Sequence, residues 1–250
     1  GHYGNWAPNP AMMLVQLLAS MKDPETGRVL VDGFYDDVVP LSAFEGSALA
    51  AAPDDDEQSR RAFGIGAPEA KGRRLSLLNL PSLNVRGLQS GWVGDQARTI
   101  VPDLAIASLD LRLVKDVGPD EQFRKLVRHI ERQGYVVVDA DPDEEVRLRH
   151  GKIAKVMRSD GYPAFRTSMD LPISRALIEA LEHNTGRAAV TLPTVGGSVP
   201  LYVFTDVLEV PTVIVPIVNH DNNQHSPNEN LRLGNLWAGM EILASVMLIR

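Results

Sequence analysis

The sequence predicts an α/β chain in two parts: an α+β part with an antiparallel sheet and two helices over residues 1–160, and a strand–helix part over residues 161–250. Three observations carry this. Residues 82–87 and 100–113 alternate in polarity and are rich in β-branched side chains, as strands are. Apolar residues recur at helical spacing over residues 11–21 and 121–132. From Asp170 onward the pattern changes, and helical stripes flank an unbroken apolar run, Val213-Ile214-Val215-Pro216-Ile217-Val218, that suits a parallel strand covered on both faces.

The elements follow in order. Pro8 and Pro10 flank Asn9 at a helix start, where proline costs nothing because the first N–H groups have no intrahelical partner; the helix runs from Ala11 to Met21. Asp23 to Gly27 ends it, and Val29-Leu30-Val31 reads as a short strand. Residues 42–80 hold no steady period, though Pro53 to Glu57 reads either as a helix start with acidic groups near the positive dipole end or as a solvated acidic loop. The strands over 82–87 and 100–113 make an antiparallel layer. Gly118-Pro119 opens a helix over Glu121–Arg132 with Phe123, Leu126, Val127 and Ile130 on one stripe, Gly134 closes it, and Tyr135 to Val138 is the next strand. Polar residues 148–160 read as a hinge. Asp170 caps a helix through about His183, residues 188–192 form a strand, Leu201 to Leu208 a helix, and Pro211 to Val218 a strand. The last helix, Asn230 to Ile249, carries Leu233, Leu236, Trp237, Met240, Leu243, Ala244 and Met247 as a stripe wide enough to lie on a sheet.

Composition narrows the function. With 32 acidic against 25 basic residues, a net charge of −7, and no long basic run, nucleic acid and anionic membrane surfaces are poor partners. The absence of cysteine rules out disulfides and thiolate metal sites, fits a reducing cytoplasm, and leaves imidazole and carboxylate as metal donors. No stretch reaches about 18 apolar residues, so no membrane span is expected.

Two loops hold the residue types that chemistry needs. Gly196-Gly197-Ser198 is a turn in which glycine lets backbone N–H groups approach an anion such as a carboxylate, or else serves only the strand-to-helix geometry. His225, in Gln224-His225-Ser226-Pro227-Asn228-Glu229-Asn230, stands ahead of a helix as a metal ligand or as a packed, capping histidine. Arg112 sits in an otherwise apolar strand, where its guanidinium either grips a carboxylate by two parallel bonds or pairs with an acidic neighbour. A serine hydrolase built on Ser198 lacks the Gly-x-Ser-x-Gly elbow.

Gly-Gly-Ser-Val-Pro at 196–200, the apolar run and His-Ser-Pro-Asn-Glu at 225–229 resemble, in order, the end of the di-zinc metallopeptidases that include carnosinases, aminoacylases and succinyl-diaminopimelate desuccinylase. The opening Gly1-His2-Tyr3-Gly4-Asn5-Trp6 to Pro10, then Gly33-Phe34-Tyr35-Asp36-Asp37, and Thr99 to Pro102 followed by Leu109 to Val114, are similar to that family's lid, or dimerisation, domain. The resemblance implies a lid over residues 1–160 and the C-terminal part of an α/β zinc-exopeptidase catalytic domain over 161–250. It implies His225 as a zinc ligand, Arg112 as the clamp on the substrate's carboxylate, Thr99 as a lid contact across a homodimer, and Gly196, Gly197 and Ser198 as substrate contacts. Carnosinases carry a transition-state histidine near Pro8-Asn9; here Asn9 takes that place as an oxyanion contact.

The family's His-x-Asp, bridging aspartate and Glu-Glu pair lie in an N-terminal half that this chain does not resemble, and none of its six histidines stands in a His-x-Asp. The expectation is therefore a piece of a two-zinc, cytoplasmic, homodimeric hydrolase of a small peptide or N-acyl amino acid, in which metal-activated water attacks the amide. This piece holds at most one zinc ligand and is expected to be inactive alone. The alternative is a non-catalytic dimerisation or binding module of the same fold.

Overall fold

A computed structural model describes residues 1–249. It contains α1 (Pro10–Ala19), α2 (Ala43–Ala51), α3 (Asp56–Ala62), α4 (Arg74–Leu77), β1 (Ser82–Gln89), β2 (Ile106–Arg112), α5 (Pro119–Arg132), β3 (Val136–Val138), α6 (Glu144–Arg149), β4 (Ile153–Lys155), α7 (Pro172–Thr185), a π-helical turn over Val203–Val207, and α8 (Leu233–Met247). The chain divides into two compact units, one of residues 1–39 and 54–165, the other of 40–53 and 166–249.

In the first unit the predicted helices form where caps and stripes coincide. Asn9 Oδ1 accepts from Ala11 N at 2.9 Å and Met12 N at 3.4 Å, which starts α1 with Pro10 in its first turn. The core gathers Leu17 of α1 and Met21 just after it, Val29, Val31 and Phe34 from the following turn, Leu83 of β1, and Leu126 and Ile130 of α5. The turn over residues 31–38 is pinned to α5 by polar side chains: Gln122 Nε2 donates to Phe34 O at 2.8 Å, and Lys125 Nζ reaches Gly33 O at 2.8 Å and Asp37 Oδ2 at 2.5 Å. Gly33 has φ +72°, a value that a Cβ makes costly, and Asp36 Oδ2 would stand 3.1 Å from that Cβ.

The strands depart from expectation in extent. β1 and β2 pair antiparallel as predicted, with Ser82 opposite Arg112 and a register shift between Val85 and Gly87, but residues 100–105 form no strand. Val29 contributes a single bridge to Lys22 instead of a strand. The stretch read as a polar hinge holds the end of α6 and all of β4, and β4 pairs in parallel with β3, Val136 opposite Ile153, as a second two-stranded sheet. Three-residue strands are too short to show a period.

α5 also holds a buried titratable group. His129 is 5% exposed, and its Nε2 lies 2.9 Å from Ser20 Oγ, whose own proton goes to Leu17 O at 2.7 Å, so Nε2 carries the hydrogen. Burial, then the nearby Arg132 guanidinium, push its pKa below the ordinary 6.5, against the opposing charge of Asp32. The unfolded chain binds this proton more readily than the folded one, so stability is full above pH 6.5 and falls as pH drops below it. The melting temperature is expected to decline between pH 7 and 5, with a shallower decline in His129→Gln; equal slopes would contradict this.

The second unit is helical. α2 begins in a capping box, Glu45 N donating to Ser42 Oγ at 3.2 Å and Ser42 N to Glu45 Oε2 at 2.8 Å. The buried Glu45 also faces Arg166, whose Nη2 donates to Pro40 O at 3.2 Å. α7 starts after Leu171 with no side-chain cap, and Asp170 pairs with Arg175 at 3.0 Å instead of capping. Residues 188–192 and 211–218 form no strand: a parallel strand needs neighbours on its edges, and this unit has no described strand. Side chains tie the second segment down in place of a ladder. Thr167 Oγ1 donates to Thr212 O at 2.6 Å and accepts from Thr212 N at 3.1 Å, and Asn235 Nδ2 donates to Ile217 O at 3.1 Å.

α8 packs through its small-residue side. A Cβ on Gly239 would meet Ile217 at 2.8 Å, and Asn184 Nδ2 of α7 donates to Ser245 Oγ at 2.8 Å. The apolar stripe expected to lie on a sheet points outward, with Leu233, Trp237, Met240, Leu243 and Met247 exposed. The helix is where the stripe predicts; the surface to cover the stripe is not among the described residues.

Candidate functional site

The predicted site residues divide between the units, Asn9, Thr99 and Arg112 in the first and Gly196, Gly197, Ser198 and His225 in the second. Asn9 spends its carbonyl oxygen on the α1 cap, which fixes the amide so that Nδ2 is its remaining polar group. Thr99 is exposed in the connection between β1 and β2. Arg112 ends β2 and is half exposed, with Nε 2.7 Å from Asp110 Oδ2. Residues two apart on a strand share a face, so Asp110 and Arg112 stand side by side opposite Asn84 and Ser82. Asp110 is thus an acidic neighbour of the kind that sequence reading allowed Arg112 as a partner.

Gly196, Gly197 and Ser198 are exposed and lie in irregular chain. The helix expected after them is the five-residue π turn over Val203–Val207, so they gain backbone N–H groups but little helix dipole.

His225 sits at the tip of a loop whose neck is closed by side chains. Asn219 is 4% exposed; its Nδ2 donates to Asp221 Oδ1 at 2.9 Å and to Asn230 Oδ1 at 3.0 Å, and its Oδ1 accepts from Arg232 N at 3.0 Å. Arg232 Nη2 reaches Asp221 Oδ2 at 2.5 Å, and Asn230 N donates to Asn222 O at 2.9 Å. The Asn219 amide chiefly, then Arg232 and His220, hold the Asp221 carboxyl below its ordinary 3.8. Beyond the neck the backbone turns left-handed at Asn223, His225 and Asn228, with φ of 53°, 62° and 62°. Asparagine and histidine are among the few non-glycine residues that enter this region with any frequency. Sequence reading missed this neck; the polar run Asn219-His220-Asp221-Asn222-Asn223 was the available signal.

Among the described residues no three histidine, aspartate or glutamate side chains gather as a metal site. His225 is then one imidazole donor, and the residues described do not by themselves fit a zinc ion.

No family model matches the chain. It is 24% identical to the human Beta-Ala-His dipeptidase over 99% of this chain and 47% of that protein, and 23% identical to a Cys-Gly metallodipeptidase of Saccharomyces cerevisiae over 99% of this chain and 50% of that one. In structure it is similar to an M20 family metallo-carboxypeptidase of Sulfolobus solfataricus, with a TM-score of 0.80 and 25% identity over 99% of this chain and 54% of that one. The chain spans about half the length of the curated relatives it matches.

Proposed function

We propose, from the premise that this chain is a relative of the M20 metallopeptidases, that it supplies the lid and the C-terminal part of the catalytic domain of a zinc-dependent peptidase or amidohydrolase. The similarity in structure to a metallo-carboxypeptidase along 99% of the chain carries the reading. The substrate is a small peptide or N-acyl amino acid; two relatives are named for Beta-Ala-His and Cys-Gly, which favours a dipeptide with a free carboxylate.

Each residue has a chemistry suited to that task. Arg112, already paired through Nε with Asp110, has a planar fork matched to a carboxylate. Asn9 Nδ2 is a donor suited to a developing oxyanion, and its cap fixes its direction. Thr99 is a polar contact on the lid, and the Gly196-Gly197-Ser198 backbone suits a bound anion. His225 offers one imidazole to a metal, the other donors belonging to the portion of the relatives' catalytic domain that this chain does not span. In this reading the chain is inactive alone, and the exposed stripe of α8 is covered by that other portion. The protein is a cytoplasmic homodimer through the lid, whose hairpin exposes Leu88, Trp92, Val93, Ile100, Leu104 and Ile106. No described helix is long and apolar enough to cross a membrane.

The second reading is a non-catalytic dimerisation or binding module of the same fold. Substrate kinetics on the protein expressed from its whole gene separate the two. Arg112→Ala is expected to raise KM for a dipeptide about 10–150-fold, from about 1.5–3 kcal/mol for a charge-assisted bond. The amidated dipeptide is expected to show little change, and no hydrolysis of any dipeptide or N-acyl amino acid would favour the binding module.

A further inference from the structure

We propose that Asn219 is the positioning residue of the His225 loop, a buried amide that locks the loop neck and thereby aims the imidazole. The inference rests on the reading of His225 as a functional ligand.

A loop that places a ligand must be over-determined at its base, and this one has no strand ladder, since residues 211–249 form no described strand. Its rigidity has another source. One 4%-exposed side chain, Asn219, bonds to residues 221, 230 and 232 at 2.9–3.0 Å, so a single amide gathers both ends of the loop. The Arg232–Asp221 ion pair and the Asn230 N to Asn222 O bond lie around it as outer ties. Asn219 is buried while its partners are exposed, so breaking one of these bonds strands a polar atom of the Asn219 amide away from water. Three left-handed residues, Asn223, His225 and Asn228, sit within this closure, and such conformations persist where the surroundings impose them. The amide is specific to the task. Its nitrogen donates twice while its oxygen accepts, which no other side chain of that length does. A carboxylate at 219 loses both donors and faces Asp221; an aliphatic side chain leaves three partners unmatched.

The test uses Asn219→Asp, with Asn219→Ser as the milder variant should the first fail to fold. Amide hydrogen exchange in this chain reads the neck directly. Exchange at the Asn230 and Arg232 N–H groups is expected to speed up at least about tenfold in either variant, while that of α1 and α5 holds. In the protein expressed from its whole gene, kcat for a dipeptide, corrected for folded fraction, is expected to fall about 10–100-fold with KM held, the loss typical when a ligand's supporting partner is removed. A general loss of stability would instead speed exchange throughout and leave the corrected kcat alone. Unchanged exchange at Asn230 and Arg232 overturns the proposal, as does unchanged kcat where His225→Ala abolishes turnover. Should His225→Ala leave turnover intact, the functional reading of His225 fails, and exchange alone still decides whether Asn219 locks the loop.

Discussion

Phe34→Ala is expected to destabilise the first unit by about 3–5 kcal/mol, the range for a fully buried phenylalanine whose cavity cannot collapse. Phe34 is 1% exposed, lies edge-on to Tyr35 with ring centroids 5.2 Å apart, and joins the cluster that unites α1, β1 and α5. Collapse around the void is resisted because the turn carrying Phe34 is tied to α5 through Gln122 and Lys125. Against a total stability of about 5–15 kcal/mol, such a loss is a large fraction. Urea unfolding followed by circular dichroism reads it as a lowered midpoint at an unchanged slope. A loss below about 1 kcal/mol would mean that the core is not organised around this ring.

His225→Ala is expected to do the opposite, sparing stability while removing function. The side chain is exposed at a loop tip, so its loss should change the melting temperature little. If it supplies a metal donor, turnover falls by more than the roughly 10–100-fold seen when only a supporting partner is lost. The cost of holding alanine at the left-handed φ of 62° does not complicate the comparison if His225→Asn is measured beside it, because asparagine tolerates that region. A variant that melts like wild type and turns over like wild type would remove His225 from the site.

The pattern of what was legible follows the physics of each element. α1, α5 and α8 were readable because an apolar period coincides with a proline start, a glycine stop or a long stripe. α2 was missed although Ser42-Ala43-Phe44-Glu45 spells a capping box, since its alanines carry no contrast between faces. The run over 211–218 was read as a strand because its composition suits a buried one; pairing is a property of neighbours, and the second unit offers none among its described residues. The same holds for the site. Motif order and residue type single out His225, Arg112 and Asn9, whereas Asp110 beside Arg112 and Asn219 beneath His225 emerge only once side chains are placed.

The most direct measurement is zinc content together with turnover of a dipeptide and N-acyl amino acid panel, made on the protein expressed from its whole gene. About two zinc ions per subunit and hydrolysis that chelation abolishes and zinc restores are the results the account predicts. A protein that takes up no zinc and cleaves nothing in the panel would contradict it, leaving a binding module that shares the fold without the chemistry.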